Sequence, residues 1–595
     1  PPPPPPAPPG RGCRILEIGN RSPPQQLQTE EPALIRRRRF VTSTIFVSLL
    51  GLTAGAQPRP ASGPIAIQQP SLKEWLTYLA SDELQGRATY SEGLGLAAQY
   101  IADHLKQWGV KPVGDNGTYF QIVKVLGVRT TSHSTVTVEV NGQTRTFRDG
   151  EGITFPRNMG GRQTIVADQV YFAGYGLSLA AAQHEGSGGA DLTGKAVVWL
   201  GTVPPSGVEG SGRLMSGRSR EALERGAVAT IGPHGGEAAA RWAGQGGGRS
   251  APGTARSGRG GGDDGDFTTV QRLDRRIPPS VTAQDEFFEF LFSGSDVSYA
   301  DLKARADRQE PLAPFSVKGV KLTFQVDAEY EVTRTRFTRN VVGVVEGSDP
   351  KLRHTYVVYG AHYDHTGYRE GVPGQGRAGR AGRDPYDRIY NGADDDGSGT
   401  VAIMAVARAF ASGPRPKRSL LFVWHAGEES GLLGSRYSVE FPVVPLENMV
   451  AQINLDMVGR NRNNDPSEAN TVYVVGADRI STELHNINEA ANASLARPLM
   501  LDYEYNDPAD AESFYTRSDH YSYAEKGIPI IFYFTGTHPD YHAPSDTVDK
   551  IIFDKVQRIA QLAYETGRRV ANLERPPARD NKGPRKGKGE RGRID

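Results

Sequence analysis

From residue 336 onward the chain repeats one pattern that limits its folding options sharply: short, nearly unbroken apolar runs separated by helical or glycine-rich segments. The runs are NVVGVVEG, TYVVYGA, SLLFVWHA, MVAQINLDMVG and IPIIFYFTG, and a helical pattern covers Thr400 to Phe410 between the second and third. Apolar runs without alternation suit strands buried on both faces, and strands alternating with helices imply a largely parallel sheet covered on both sides. The fold class expected is therefore α/β, with a mixed, largely parallel sheet.

At 595 residues the chain is too long for one hydrophobic core, so further domains are expected. Residues 57–125 read as helices and a turn that belong with this sheet; in SEGLGLAAQYIADHLKQWGV the residues Leu96, Tyr100, Ile101 and Leu105 fall at helical spacing. Residues 126–325 change to short β-like runs such as STVTVEV and QVYFAGYG, with a helical REALERGAVATI, and form a β-rich α+β insert. The stretch Gly244 to Gly265 inside it is rich in Gly, Ser and Arg and reads as a loop. The sheet-forming portion spans 326–573, and the basic segment 574–595 is expected to be disordered.

Charge excludes some partners. Lys and Arg number 69 against 68 for Asp and Glu, so no basic field argues for nucleic acid. Cys13 is the only cysteine, which leaves neither a disulfide framework nor a thiolate metal site. Residues 1–56 read as a leader and signal peptide: Arg36 to Arg39 precede an apolar run from about Val41 to Leu52, closing on Ala54-Gly55-Ala56. Cleavage after Ala56 predicts a secreted or periplasmic protein with no stable membrane insertion.

The acids and histidines carry the chemistry. His362, Asp364 and His365 follow YVVYGA, Glu428 and Glu429 follow LLFVWHAG, Asp456 ends AQINL, and His542 comes soon after IIFYFTG. Each lies at the carboxyl end of an expected strand, the edge along which open α/β sheets build their ligand crevice. Buried acids gathered there repel one another unless a cation neutralises them. Imidazole and carboxylate donors without thiolate suit zinc, with cobalt and manganese as alternatives, better than magnesium or calcium. In NGADDDGSG, Asn391 to Gly399, one aspartate could bridge two metals; the plainer reading is a helix start rich in acids.

The ordered set GAHYDH, NGADDDGSG, HAGEESGLLGS, NLDMVGR, RSDHYSY and PDYHAPSDT resembles metallopeptidase family 28, the bimetallic zinc aminopeptidases and their glutamate-carboxypeptidase relatives. The resemblance covers about Arg336 to Leu573 and the helices around DELQGR, while FAGYG, DLTGK and EALERGAVA resemble a protease-associated domain. It implies the zinc exopeptidase fold and two Zn²⁺ ions: one held by His362 and Asp456, the other by Glu429 and His542, with Asp395 between them. It further implies Glu428 as general base, Asp364 as acceptor of the second ring N–H of His362, Tyr541 as a donor to the developing oxyanion, and a cis peptide after Asp395. His365, His425, His520 and His538 are expected to serve structural or supporting roles. The arginine and glycine run between His365 and Asn391 has no counterpart in the family pattern.

The resemblance implies a peptide substrate and an exopeptidase, foremost an aminopeptidase, in which Glu428 takes the proton of a water shared by the two ions and returns it to the leaving amine. Three other readings stay open on the same core: a dipeptidase or carboxypeptidase, a one-zinc glutaminyl cyclase, and a non-catalytic receptor-like protein.

Overall fold

The computed structural model describes residues 67–177, 190–208, 211–235, 265–369, 387–507 and 510–581. The expected signal segment, most of the Gly244 to Gly265 loop and residues 370–386 of the arginine and glycine run lie outside them.

Four parallel strands form the middle of a ten-stranded sheet, in the spatial order Ser419–His425, Tyr356–His362, Met449–Leu455, Ile530–Phe534. Antiparallel strands flank them, Ala328–Val345 beside the first and Thr471–Val475 beside the last. The continuous apolar runs explain the position: all seven residues of Ser419–His425 are buried. Leu420, Phe422 and Trp424 enter one core cluster, and Leu421 and Val423 enter another on the opposite face. The first cluster takes in the helices Gln69–Leu79, Glu92–Gln107, Gly399–Ser412, Thr482–Ala493 and Phe553–Ala571. The second draws on Leu433–Glu440 and His520–Ala524. A mixed α/β sheet with helices on both faces is thus what the apolar pattern builds.

A second ten-stranded sheet occupies Thr135 to Val326, apart from one excursion, and has its own core around Phe172, Phe287, Phe288, Leu322 and Phe324. Two long strands join the sheets: Phe120–Ser132 and Ala328–Val345 pair antiparallel from Phe120↔Val341 to Ser132↔Ala328, with a bulge at Val332/Arg334. The excursion is Phe267–Thr269, which leaves the inserted unit to pair with Phe120–Ser132.

Three local expectations need correction. In Glu92–Gln107, capped by Ser91, the inward face is Leu94, Ala97, Ala98, Ile101 and Leu105, and Leu96 is 45 % exposed; Leu94 and the two alanines supply a helical face one position away from the stripe counted through Leu96. The helical reading of REALERGAVATI holds only to Glu224, because Gly226 takes φ +90° and Ala229–Pro233 becomes a strand between Ala196–Val198 and Ser280–Ala283. The tail keeps contacts to Asn581, whose N–H donates to the Ile480 carbonyl at 3.1 Å, while Asp580 accepts from the Thr482 N–H at 3.2 Å.

Candidate metal centre and active site

Strand register brings the site together. His362 closes its strand level with His425 on the neighbour, Asp456 follows Met449–Leu455 directly, and Glu428 and Glu429 lie just past His425. His542 arrives from the loop after Ile530–Phe534.

Asp395 stands at the middle. Its Oδ1 is 3.1 Å from His362 Nε2, and its Oδ2 is 3.0 Å from His542 Nε2. On the first side Asp456 Oδ1 lies 3.6 Å from His362 Nε2; on the second, Glu429 Oε1 lies 3.0 Å from His542 Nε2. Two groups with metal-ligating potential result, sharing Asp395: His362, Asp395 and Asp456, and His365, Asp395, Glu429 and His542. The five residues expected as ligands converge, and His365, expected to play a supporting role, stands among them with Nδ1 3.0 Å from Glu429 Oε1.

The donor set fits a pair of divalent cations. His362 Nε2, His542 Nε2 and Asp395 Oδ2 are buried atoms without a hydrogen-bond partner, although each lies close to an oppositely suited group. Leaving such atoms unpaired costs about 1–3 kcal/mol apiece. Close approach without hydrogen-bond geometry is what donors aimed at a common ion display. The electrostatics agree: burial pulls the His362 imidazole toward the neutral form, yet Glu428 and Asp456 raise its pKa well above the ordinary value. Burial likewise opposes charge on His542, and Glu429 and Asp395 help push it up to about 11. The cluster of carboxylates therefore demands positive charge, which protons supply when cations do not.

Supporting hydrogen bonds hold the ligands in place. Asp396 Oδ2 accepts the His362 N–H at 3.1 Å, and its Oδ1 accepts from Gly399 at 2.9 Å and Met457 at 3.2 Å. The Asp395–Asp396 peptide is cis, as the resemblance implied. Asp546 Oδ2 accepts the N–H groups of Asp394 and Asp395 at 3.0 and 3.2 Å. Ser518 donates to Asp456 Oδ2 at 2.6 Å. Asp364 differs from expectation: the ring Nδ1 of His362 meets its backbone carbonyl at 3.1 Å, with the carboxylate 3.7 Å away. The carboxylate instead accepts from Glu428 N–H at 3.1 Å, Glu429 N–H at 3.4 Å and Thr89 at 3.2 Å. Its work is to hold the turn that carries both glutamates.

Sequence reasoning gave Arg87 no role. It is 1 % exposed, and its guanidinium donates to the carbonyls of Tyr363 at 2.8 Å, Asn391 at 2.7 Å, Gly392 at 2.9 Å and Leu79. The remaining histidines expected to be supporting each have a partner: His538 with Asp394 at 3.1 Å, His425 with Tyr523 at 3.0 Å, His520 with the Tyr515 carbonyl at 2.8 Å.

Beside Asp395 and Asp456 opens a pocket lined by Met457, Phe514, Phe532, Phe534 and Tyr541 and, on its polar side, by Arg517, Ser518 and Thr537. Tyr541 stacks on the His542 ring at 4.0 Å.

The sequence model of peptidase family M28 matches residues 340–567. A probable leucine aminopeptidase of Arthroderma otae is 27 % identical over 247 residues, 39 % of this chain and 58 % of that protein. Another, of Arthroderma benhamiae, is 31 % identical over 188 residues, 29 % of this chain and 48 % of that protein. The chain thus spans about half the length of these relatives. Among solved structures, an aminopeptidase from Aneurinibacillus sp. strain AM-1 aligns with TM-score 0.40 and 19 % identity, over 87 % of this chain and 96 % of that one. A zinc aminopeptidase from Bacillus subtilis aligns with TM-score 0.38 and 17 % identity, over 84 % and 94 %.

Proposed function

We propose, from the match of residues 340–567 to the model of peptidase family M28, that the chain is a secreted zinc exopeptidase that releases N-terminal apolar residues from peptides. The observation that carries this reading is the division of Asp395, one oxygen 3.1 Å from His362 Nε2 and the other 3.0 Å from His542 Nε2. His362 and Asp456 would hold one zinc ion and Glu429 and His542 the other, with Asp395 common to both. Bound there, the ions supply Lewis acidity toward the scissile carbonyl and toward water.

The protein residues do the rest. Glu428 is fully buried, its Oε2 lies 3.8 Å from His362 Nε2, and Asp364 pins its backbone. From that position its carboxylate takes a proton from the attacking water and passes it to the departing amine, the double duty expected of a positioned general base. The aromatic pocket accepts the side chain of the first residue, and burying a Leu or Phe side chain contributes about 1.5–3 kcal/mol. Tyr541, on the rim, donates its hydroxyl toward the oxygen that gains charge. The Arg36 to Arg39 and Val41 to Leu52 pattern supports secretion.

The test is hydrolysis of aminoacyl anilides against their N-acetylated forms, with and without chelator, alongside zinc content. Turnover of free-amine substrates only, abolished by chelation and restored by zinc at two ions per chain, is expected. Hydrolysis of an N-acetylated peptide with a free C-terminus as readily as its free-amine form would point to a carboxypeptidase, and cleavage of free dipeptides alone to a dipeptidase. One zinc per chain with cyclisation of N-terminal glutamine would replace the reading with a glutaminyl cyclase.

A further inference from the structure

We infer that His365 is a direct ligand, through Nδ1, of the cation held by Glu429 and His542, so that the two metal positions are unequal. The inference rests on the two-cation reading above and goes beyond the ligand set drawn from resemblance. Four protein residues would hold one ion, with three on the His362 side.

The His365 side chain is completely buried, and neither ring nitrogen makes a hydrogen bond. That separates it from His425, His520 and His538, each of which pairs one nitrogen with a hydroxyl, a carbonyl or a carboxylate. An imidazole retained for structure ordinarily donates its N–H, and burying both nitrogens unpaired forfeits their hydration with nothing in return. Yet Nδ1 stands 3.0 Å from Glu429 Oε1 and 3.9 Å from Asp395 Oδ2, facing the same oxygens as His542 Nε2. One donor atom from each of His365, Asp395, Glu429 and His542 lies within 4.8 Å of all the others. A lone pair directed at a shared ion accounts for proximity without a hydrogen bond.

The surroundings are shaped to keep the ring there. The His365 N–H donates to the Arg87 carbonyl at 3.1 Å, which fixes the backbone. Gly392 takes φ +57°, and a Cβ on it would fall 2.5 Å from His365 Cγ, so only glycine leaves space for the imidazole against the Asp395 loop. Asn391 and Gly392 in turn receive Arg87 through their carbonyls. An extra neutral imidazole adds a donor without adding negative charge. The position holding it should therefore fill first and release its ion last.

Diffraction from zinc-loaded crystals, with anomalous scattering to locate the ions, tests this directly. The expected result is His365 Nδ1 at about 2.0–2.1 Å from the ion near Glu429. A separation above about 3 Å, with two ions present, overturns this inference and leaves the two-zinc exopeptidase standing; no ion in the cluster overturns both. In solution, chelator competition on the wild type should resolve a tight and a weaker zinc. In His365→Gln the tight site should weaken by at least about 10-fold, the lower end of what an outer-shell partner alone contributes. Unchanged affinity in the folded variant also overturns the inference.

Discussion

The guanidinium of Arg87 holds the carbonyl of Gly392 at 2.9 Å across 305 positions of sequence, and through it the loop that presents Asp395. Burial lowers the Arg87 pKa to about 10 while Asp364, Asp546, Asp396 and Asp395 counter that shift, so the side chain stays charged near neutrality. Arg87→Lys keeps the charge but cannot fork to four carbonyls. Each bond lost to a charged donor costs about 1.5–3 kcal/mol. The urea midpoint should fall with an unchanged slope; a midpoint equal to wild type would show the fork to be dispensable.

Glu428→Gln preserves shape and the N–H bond to Asp364 but removes the proton acceptor. Turnover should fall about 10²–10⁴-fold, the usual worth of a general base. Zinc content and KM should move little. Activity near the wild-type level in the zinc-replete variant would take the role away from Glu428.

The aromatic pocket predicts a side-chain preference. Leu anilide should exceed Gly anilide in kcat/KM by about 10–200-fold or more, since even one methylene in an apolar site is worth that much. Phe514→Ala removes one wall of the pocket and should narrow the ratio. An undiminished ratio would place the first residue of the substrate elsewhere.

Acid stability should depend on His520, which stacks on Phe532 with centroids 4.4 Å apart. Burial pushes its pKa down to about 3, against the Tyr515 carbonyl and Asp519, which pull it up, while Arg479 adds to the lowering. Unfolded, the imidazole titrates near about 6.5. The stability contributed is whole above that value and is lost as pH falls toward 3, because the unfolded chain takes up the proton first. The slope from this one group reaches about 1.4 kcal/mol per pH unit. His520→Gln should flatten stability against pH across that window even if its baseline is lower; parallel curves would exclude His520 as the source.

Much of the site was legible because its parts end strands. His362, Asp456 and the Glu428–Glu429 pair sit where an apolar run stops, and a strand's carboxyl end is a place that sequence can mark. His365 was not legible in the same way. Three residues beyond the ligand His362 it could turn inward or outward, and the space it turns into is left by Gly392, distant in sequence and lacking a Cβ. Arg87 escaped notice for a related reason: its partners are backbone carbonyls, which leave no trace in residue identity. The Asp364 carboxylate went to the Glu428 turn rather than to His362 because backbone N–H groups there needed an acceptor. Ala229 to Ile231, read as the end of a helix in isolation, belongs to a strand because partners on both sides complete its ladder.

The paired strands Phe120–Ser132 and Ala328–Val345 bear on how the inserted unit can move. A swinging cover needs pivots, short stretches whose dihedrals change at little cost. Here both chain crossings are bonded to each other along their length, and Phe267–Thr269 adds a third rung to the same ribbon. Rotation about the junction would have to bend a paired ribbon rather than twist a single linker, so the inserted unit is joined to the sheet far more stiffly than a tethered cover would be.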